Sequence, residues 1–212
     1  MSELRNDSLE TFLEELASEA PAPGGGAAAG ICGAMGAALA SMVGNLTIGK
    51  KRYVAVEAEM QKLVEDAAKA RLELLTLAEQ DRQAFLTVMA AYKLPKDTPE
   101  AEAKRAEAIQ KACKIAAMVP LQVAKVCVDV LLLAQKAVHD GNYQIVSDGA
   151  AACLLARAAL RISSYNVRVN LNLIKDRSFN TQIGNELNKH EHHAAILEST
   201  ILREADQVIL NN

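Results

Sequence analysis

The chain has 212 residues, 50% of them apolar and 23% charged, with a formal net charge of −3. That is enough for one domain, 1–212, with a real core, and the mixed acidic and basic residues supply no basic field of the kind nucleic-acid binding needs. The polar start MSELRNDSLE lacks the basic-then-apolar run of a secretory leader, so a cytoplasmic location is expected; the four cysteines, at 32, 113, 127 and 153, form no CxxC and read as reduced core residues.

Helix signals recur along the chain and strand signals almost never do. Asp7 with Glu10 resembles a capping box ahead of Leu9, Phe12, Leu13 and Leu16, which share a face, so a first helix is expected over 8–20. Pro21-Ala-Pro23-Gly-Gly-Gly cannot continue it and reads as a connector.

The next stretch, Ala20 to Leu46, carries no charged residue. Positions 26, 30, 33, 37, 40 and 44 are Gly or Ala and fall within about 40° of one line on a helix, while Ile31, Met35, Leu39, Met42 and Val43 cluster opposite. A helix with one thin and one thick face implies two neighbours. Its length would suit a membrane span, but glycine and alanine add little to insertion, so a buried helix approached closely by another backbone is the better reading.

From Tyr53 to Tyr92 a helical pattern runs through Val56, Met60, Leu63, Leu74, Leu77, Phe85 and Met89 without proline or glycine. At 1.5 Å per residue it would reach roughly 60 Å. KLPKDTPE breaks it, and a further helix is expected over 99–117. Pro120 implies a kink or a restart there. After HDGNYQIVSDG, Ser147 or Asp148 can cap an apolar helix reaching Ile174, and Ser178 can start a last amphipathic one ending near Leu210. The fold class is all-α, a multi-helix bundle with one very long helix.

Two chemical readings arise from the residues alone. Gly24, Gly25 and Gly26 open a helix, so unpaired amides and the positive dipole end are available to an anion, although no GxGxxG follows a strand and Gly44 to Lys51 is not a phosphate loop. HEHH, His190 to His193, is not HExxH and lacks the paired Glu-x-x-His of a di-iron bundle, so a solvated helix face is expected and no metal.

PAPGGGAAAGICGAMGAALASMVGNLTIGKKRY, AEQDRQAF, LPKDTPE, VPLQVA, SDGAAACLLARAAL and YNVRVNLNLIKD occur in an order that resembles the cyclodeaminase/cyclohydrolase family of folate enzymes. The resemblance covers essentially the whole chain and implies an all-helical dimer, no metal or other cofactor, and a tetrahydrofolate derivative, often polyglutamylated, as substrate. It implies conversion of 5-formimino-tetrahydrofolate to the 5,10-methenyl form with loss of ammonia. The alternatives are hydrolysis of the methenyl bridge to 10-formyl-tetrahydrofolate, or a bundle retained only for binding or scaffolding. Either reaction needs one positioned acid/base and stabilisation of positive charge, and a carboxylate supplies both.

Asp81, in AEQDRQAF, matches the catalytic aspartate of the family. It sits at i+4 between Leu77 and Phe85, so it continues an apolar stripe and is expected to face inward, with a raised pKa or an ion pair with Arg82, Arg71 or a lysine. Asp148 can accept the paired donors of a pterin edge or cap a helix. Asn166 and Asn170, four apart, suit a pterin edge or interhelical hydrogen bonds. Lys50, Arg52 and Tyr53, in GKKRY, suit a carboxylate tail or a solvated helix end.

Overall fold

The computed structural model describes residues 3–211. Six helices, α1 (Leu9–Ala17), α2 (Gly25–Asn45), α3 (Glu57–Tyr92), α4 (Pro99–Asp140), α5 (Val146–Leu171) and α6 (Arg177–Leu210), are joined by short turns and three 3-10 segments, and no strand occurs among the described residues. Helix α2 packs between α3 and α5, and α4 lies against α2, α3, α5 and α6.

The thin seam of α2 faces α3. A Cβ on Gly30 would lie 2.8 Å from the Leu74 carbonyl oxygen, and one on Gly44 2.7 Å from Val64 Cγ2, so the two antiparallel backbones approach closely. Gly36, outside that seam, gives the same closeness to α5, with the Ala152 carbonyl 2.9 Å from its Cβ position. The thick face is only partly covered. Val43 is fully buried, whereas Met35 and Met42 are 53% and 43% exposed. Helices α2 and α4 are both long and apolar enough to cross a membrane, and most of each apolar window is buried inside the bundle.

Several expected boundaries move for identifiable reasons. The first helix is shorter, capped by Ser8 and not Asp7, because Ser8 Oγ accepts the Thr11 N–H at 3.0 Å. Phe12 alone of its stripe is buried; Leu9 and Leu13 are exposed. The long helix begins at Glu57, since residues 51–56 form a 3-10 segment around the non-helical Tyr53. Towards its end the buried set is Ala84, Val88 and Ala91, while Phe85 and Met89 reach the surface.

Pro120 does not restart α4. The helix runs unbroken from a Thr98 cap to Asp140, with Pro99 in its first turn. Proline at 120 removes the amide that would satisfy the Ala116 carbonyl, and Asn170 Nδ2 of α5 donates to that oxygen at 3.0 Å. Helix α5 starts at Val146, straight from a 3-10 turn, with no side-chain cap, so neither Ser147 nor Asp148 serves as one; it ends at Leu171, short of Ile174. Helix α6 starts at Arg177, capped by Asp176.

Candidate active site

Asp81 faces the first turn of α2. Its carboxyl lies where a Cβ on Gly26 would be, so the pairing exists only because residue 26 has no side chain. The amide of Ala27, also in that first turn, donates to the carboxylate. Burial pushes the carboxyl up to about 6 from 3.8, and the Ala27 hydrogen bond opposes the rise without cancelling it. The anion-binding character expected of the Gly24–Gly26 turn is thus used in part by a carboxylate of the chain itself. The amides of Gly25 and Gly26 have no intrahelical acceptor, as in any first turn.

A small cavity of about 140 Å³ opens here, lined by Gly24, Gly25, Gly26, Asp81, Phe85 and Asn166 together with Pro21, Ala22 and Arg82. The inward reading of the Leu77, Asp81, Phe85 stripe holds for its first two members; Phe85, 39% exposed, stands at the mouth. Arg82 is buried and forms a forked pair with Glu79, at 3.1 Å through Nε and 2.9 Å through Nη2. Burial acts to raise the Glu79 carboxyl, but donors from Arg82, Gln83 and the Leu4 amide outweigh it and hold it below the usual range. The Glu79 carboxylate thereby ties the N-terminal segment to α3, where Leu4 and Phe12 cover Ala27 and Ala78.

A larger groove, about 490 Å³, runs between α3 and α4 past Asp66, Lys69, Glu73, Asp129 and Lys136. It lacks the helix N-terminus and the buried carboxylate, so size is the poorer guide to chemistry.

The structure divides the expected site residues. Gly24, Gly25, Gly26, Asp81 and Asn166 come together. Asn170, one turn beyond Asn166, does not join them. Its two amide protons go to the carbonyls of Ala116 and Asn166, at 3.0 and 2.9 Å, which assigns it to the interhelical alternative. Asn170→Ala is expected to leave the Ala116 carbonyl unsatisfied and to lower stability by about 1–3 kcal/mol in urea unfolding, with substrate KM little changed.

Asp148 lies in the first turn of α5, outside the Asp81 cavity. Lys50, Arg52 and Tyr53 follow the opposite end of α2, which at 21 residues spans about 30 Å. The Thr47 hydroxyl fixes this end: it donates to the Val43 carbonyl at 2.7 Å and accepts the Asn142 amide at 2.8 Å. Tyr143, which the sequence reading missed, donates its amide to Tyr53 Oη at 3.1 Å, and its ring lies under the Arg52 guanidinium. The aromatic residue in the HDGNYQIVSDG break was its only signal. In HEHH, His192 and His193 are exposed, and Glu191 pairs with Arg161 and Arg168.

The bundle brings a partly buried carboxylate against a glycine-opened helix, the arrangement an acid/base site uses. The chain belongs to the formiminotransferase-cyclodeaminase family, whose model matches residues 8–189. It is 50% identical over 174 residues to methenyltetrahydrofolate cyclohydrolase of Methylorubrum extorquens, covering 82% of this chain and 84% of that one. It is 36% identical over 180 residues to formimidoyltransferase-cyclodeaminase of Sus scrofa, covering 85% of this chain but 33% of that longer protein. The crystal structure of formiminotetrahydrofolate cyclodeaminase from Thermotoga maritima superposes with a TM-score of 0.89 at 35% identity, over 98% of this chain and all of the other.

Proposed function

We propose that the chain acts on the one-carbon unit of tetrahydrofolate, with Asp81 as the acid/base. The observation that carries this reading is the Asp81 carboxyl, raised to about 6 by burial and set against the α2 amides in a cavity shared with Asn166. A group of that acidity takes up and returns a proton near neutral pH. As a carboxylate it also attracts the positive charge that the methenyl bridge carries.

Hydrolysis of 5,10-methenyl-tetrahydrofolate stands first, because the 50% identical relative is a cyclohydrolase. This reverses the order that the resemblance alone suggested. Ionised Asp81 takes one proton from water as the water oxygen bonds to the bridge carbon; the protonated form then returns it to N5 as the carbon–N5 bond breaks, while the remaining hydroxyl proton departs to solvent and the carbon–oxygen double bond of 10-formyl-tetrahydrofolate forms. Cyclodeamination is the second reading, supported by the Thermotoga maritima cyclodeaminase. There the same group carries the proton from attacking N10 to departing ammonia. Both cycles start from ionised Asp81, and neither chemistry calls for a metal or prosthetic group.

Helix α2 leaves an apolar face open at Met35 and Met42, and Leu154 on the neighbouring α5 is 50% exposed. We read this face as the interface of a homodimer, and the four free thiols suit a cytoplasmic enzyme. Purified protein is expected to discharge the near-ultraviolet absorbance of methenyl-tetrahydrofolate, or to generate it from 5-formimino-tetrahydrofolate. Turnover of neither would sink the proposal and leave a non-catalytic bundle.

A further inference from the structure

The end of α2 remote from Asp81 carries three adjacent exposed cations, Lys50, Lys51 and Arg52. None of them forms an ion pair within the described residues. The Arg52 guanidinium instead lies over the Tyr143 ring, 4.5 Å from its centroid, and 6.0 Å from that of Tyr53. The two rings are locked together by the Tyr143 amide on Tyr53 Oη, and Thr47 fixes the adjoining turn to α2. A guanidinium supported from one side by aromatic faces keeps its N–H donors directed at solvent, a preorganised receptor for carboxylates.

We propose that Tyr143 positions Arg52 to receive the carboxylates of the substrate's tail, and that this receptor serves the Asp81 pocket of a second copy of the chain. The inference rests on the folate and homodimer readings above.

Three observations place the receptor in trans. Within one chain, α2 separates it from Asp81 by about 30 Å. The face between the two ends, from Ile31 through Met35 and Leu39 to Met42, is uncharged and uncovered enough to pair with itself. The ends differ in charge. Beside the α2 N-terminus lies α1, with exposed Glu10 and Glu14 and with Glu19 just beyond its end, held there by Phe12 against Ala27. A two-fold pairing with the α2 helices parallel would set the cations of the two copies against each other. The antiparallel pairing sets them against the acidic end and brings Arg52 of one copy to the Gly24–Gly26 turn of its partner.

Two sets of variants test this with methenyl-tetrahydrofolate bearing one or several glutamates. Arg52→Gln and Tyr143→Ala are expected to raise KM about tenfold, the worth of one charge-assisted contact, with kcat less affected and the larger KM effect on the longer tail. Tyr143→Phe, which keeps the ring, is expected to restore the KM. In a co-expressed dimer of Asp81→Asn and Arg52→Gln chains, purified through two tags, one site has both residues intact, so low-substrate activity should rise to about half that of wild type. Mixed dimers no better than the mean of the two parents, an unaltered KM in Arg52→Gln, or a monomer at micromolar concentration would each overturn the proposal. Wild-type protein that turns over neither folate would instead remove the reading beneath it.

Discussion

Asp81→Asn is expected to lower turnover by about 10²–10⁴-fold, the usual contribution of a positioned acid/base, while the variant folds and gains stability. The gain follows from burial. A carboxyl titrating at about 6 in the folded chain and 3.8 when unfolded favours the fold while protonated, and that contribution is fully present below about pH 4. It is lost as pH rises through 6, where the buried group ionises. The interval corresponds to at most about 3 kcal/mol at neutral pH, and asparagine, which still accepts the Ala27 amide, is free of it. Urea unfolding of wild type and variant should therefore diverge between pH 4 and pH 6, with the variant the more stable above. Wild-type kcat/KM should fall as pH drops through about 6, since both proposed cycles begin from the ionised group. Retained turnover in the variant would remove Asp81 from the chemistry.

Gly26→Ala is the second large effect. Its Cβ would occupy the space of the Asp81 carboxyl, and neither helix can yield easily, because α2 already touches α3 backbone at Gly30 and α5 backbone at Gly36. The aspartate must swing towards solvent and give up the Ala27 amide. Turnover is expected to fall at least about 10²-fold, as for loss of a positioned proton-transfer group. Overpacking costs about 1–3 kcal/mol, partly offset by the better helix propensity of alanine, about 1 kcal/mol. Circular dichroism should show a folded helical protein, and the residual pH profile should shift towards ordinary carboxylate values as the group is rehydrated. Wild-type rates in this variant would show that the close approach has no part in the site.

The sequence announced these features unevenly. The seam at 26, 30, 33, 37, 40 and 44 and the inward Asp81 were legible because helical periodicity fixes which residues share a face. The restart at Pro120 did not occur, and a local rule cannot see the Asn170 amide that arrives from α5 to satisfy Ala116. Asp148 and Ser147 looked like caps because polar residues at a break usually are, yet a 3-10 turn leads directly into α5. The separation of Lys50 and Arg52 from Asp81 was invisible for another reason: it depends on α2 standing as an uninterrupted rod between them.

The glycines of α2 also bear on how the enzyme assembles. Six of the 21 residues from Gly25 to Asn45 are glycine, each weakening an isolated helix by about 1 kcal/mol relative to alanine. The segment cannot be helical by its own propensity and acquires order only when α3 and α5 enclose it. The amide that tunes Asp81 thus exists only after the surrounding helices have docked, so loss of activity should be among the earliest signs of local unfolding, ahead of any large loss of helix signal.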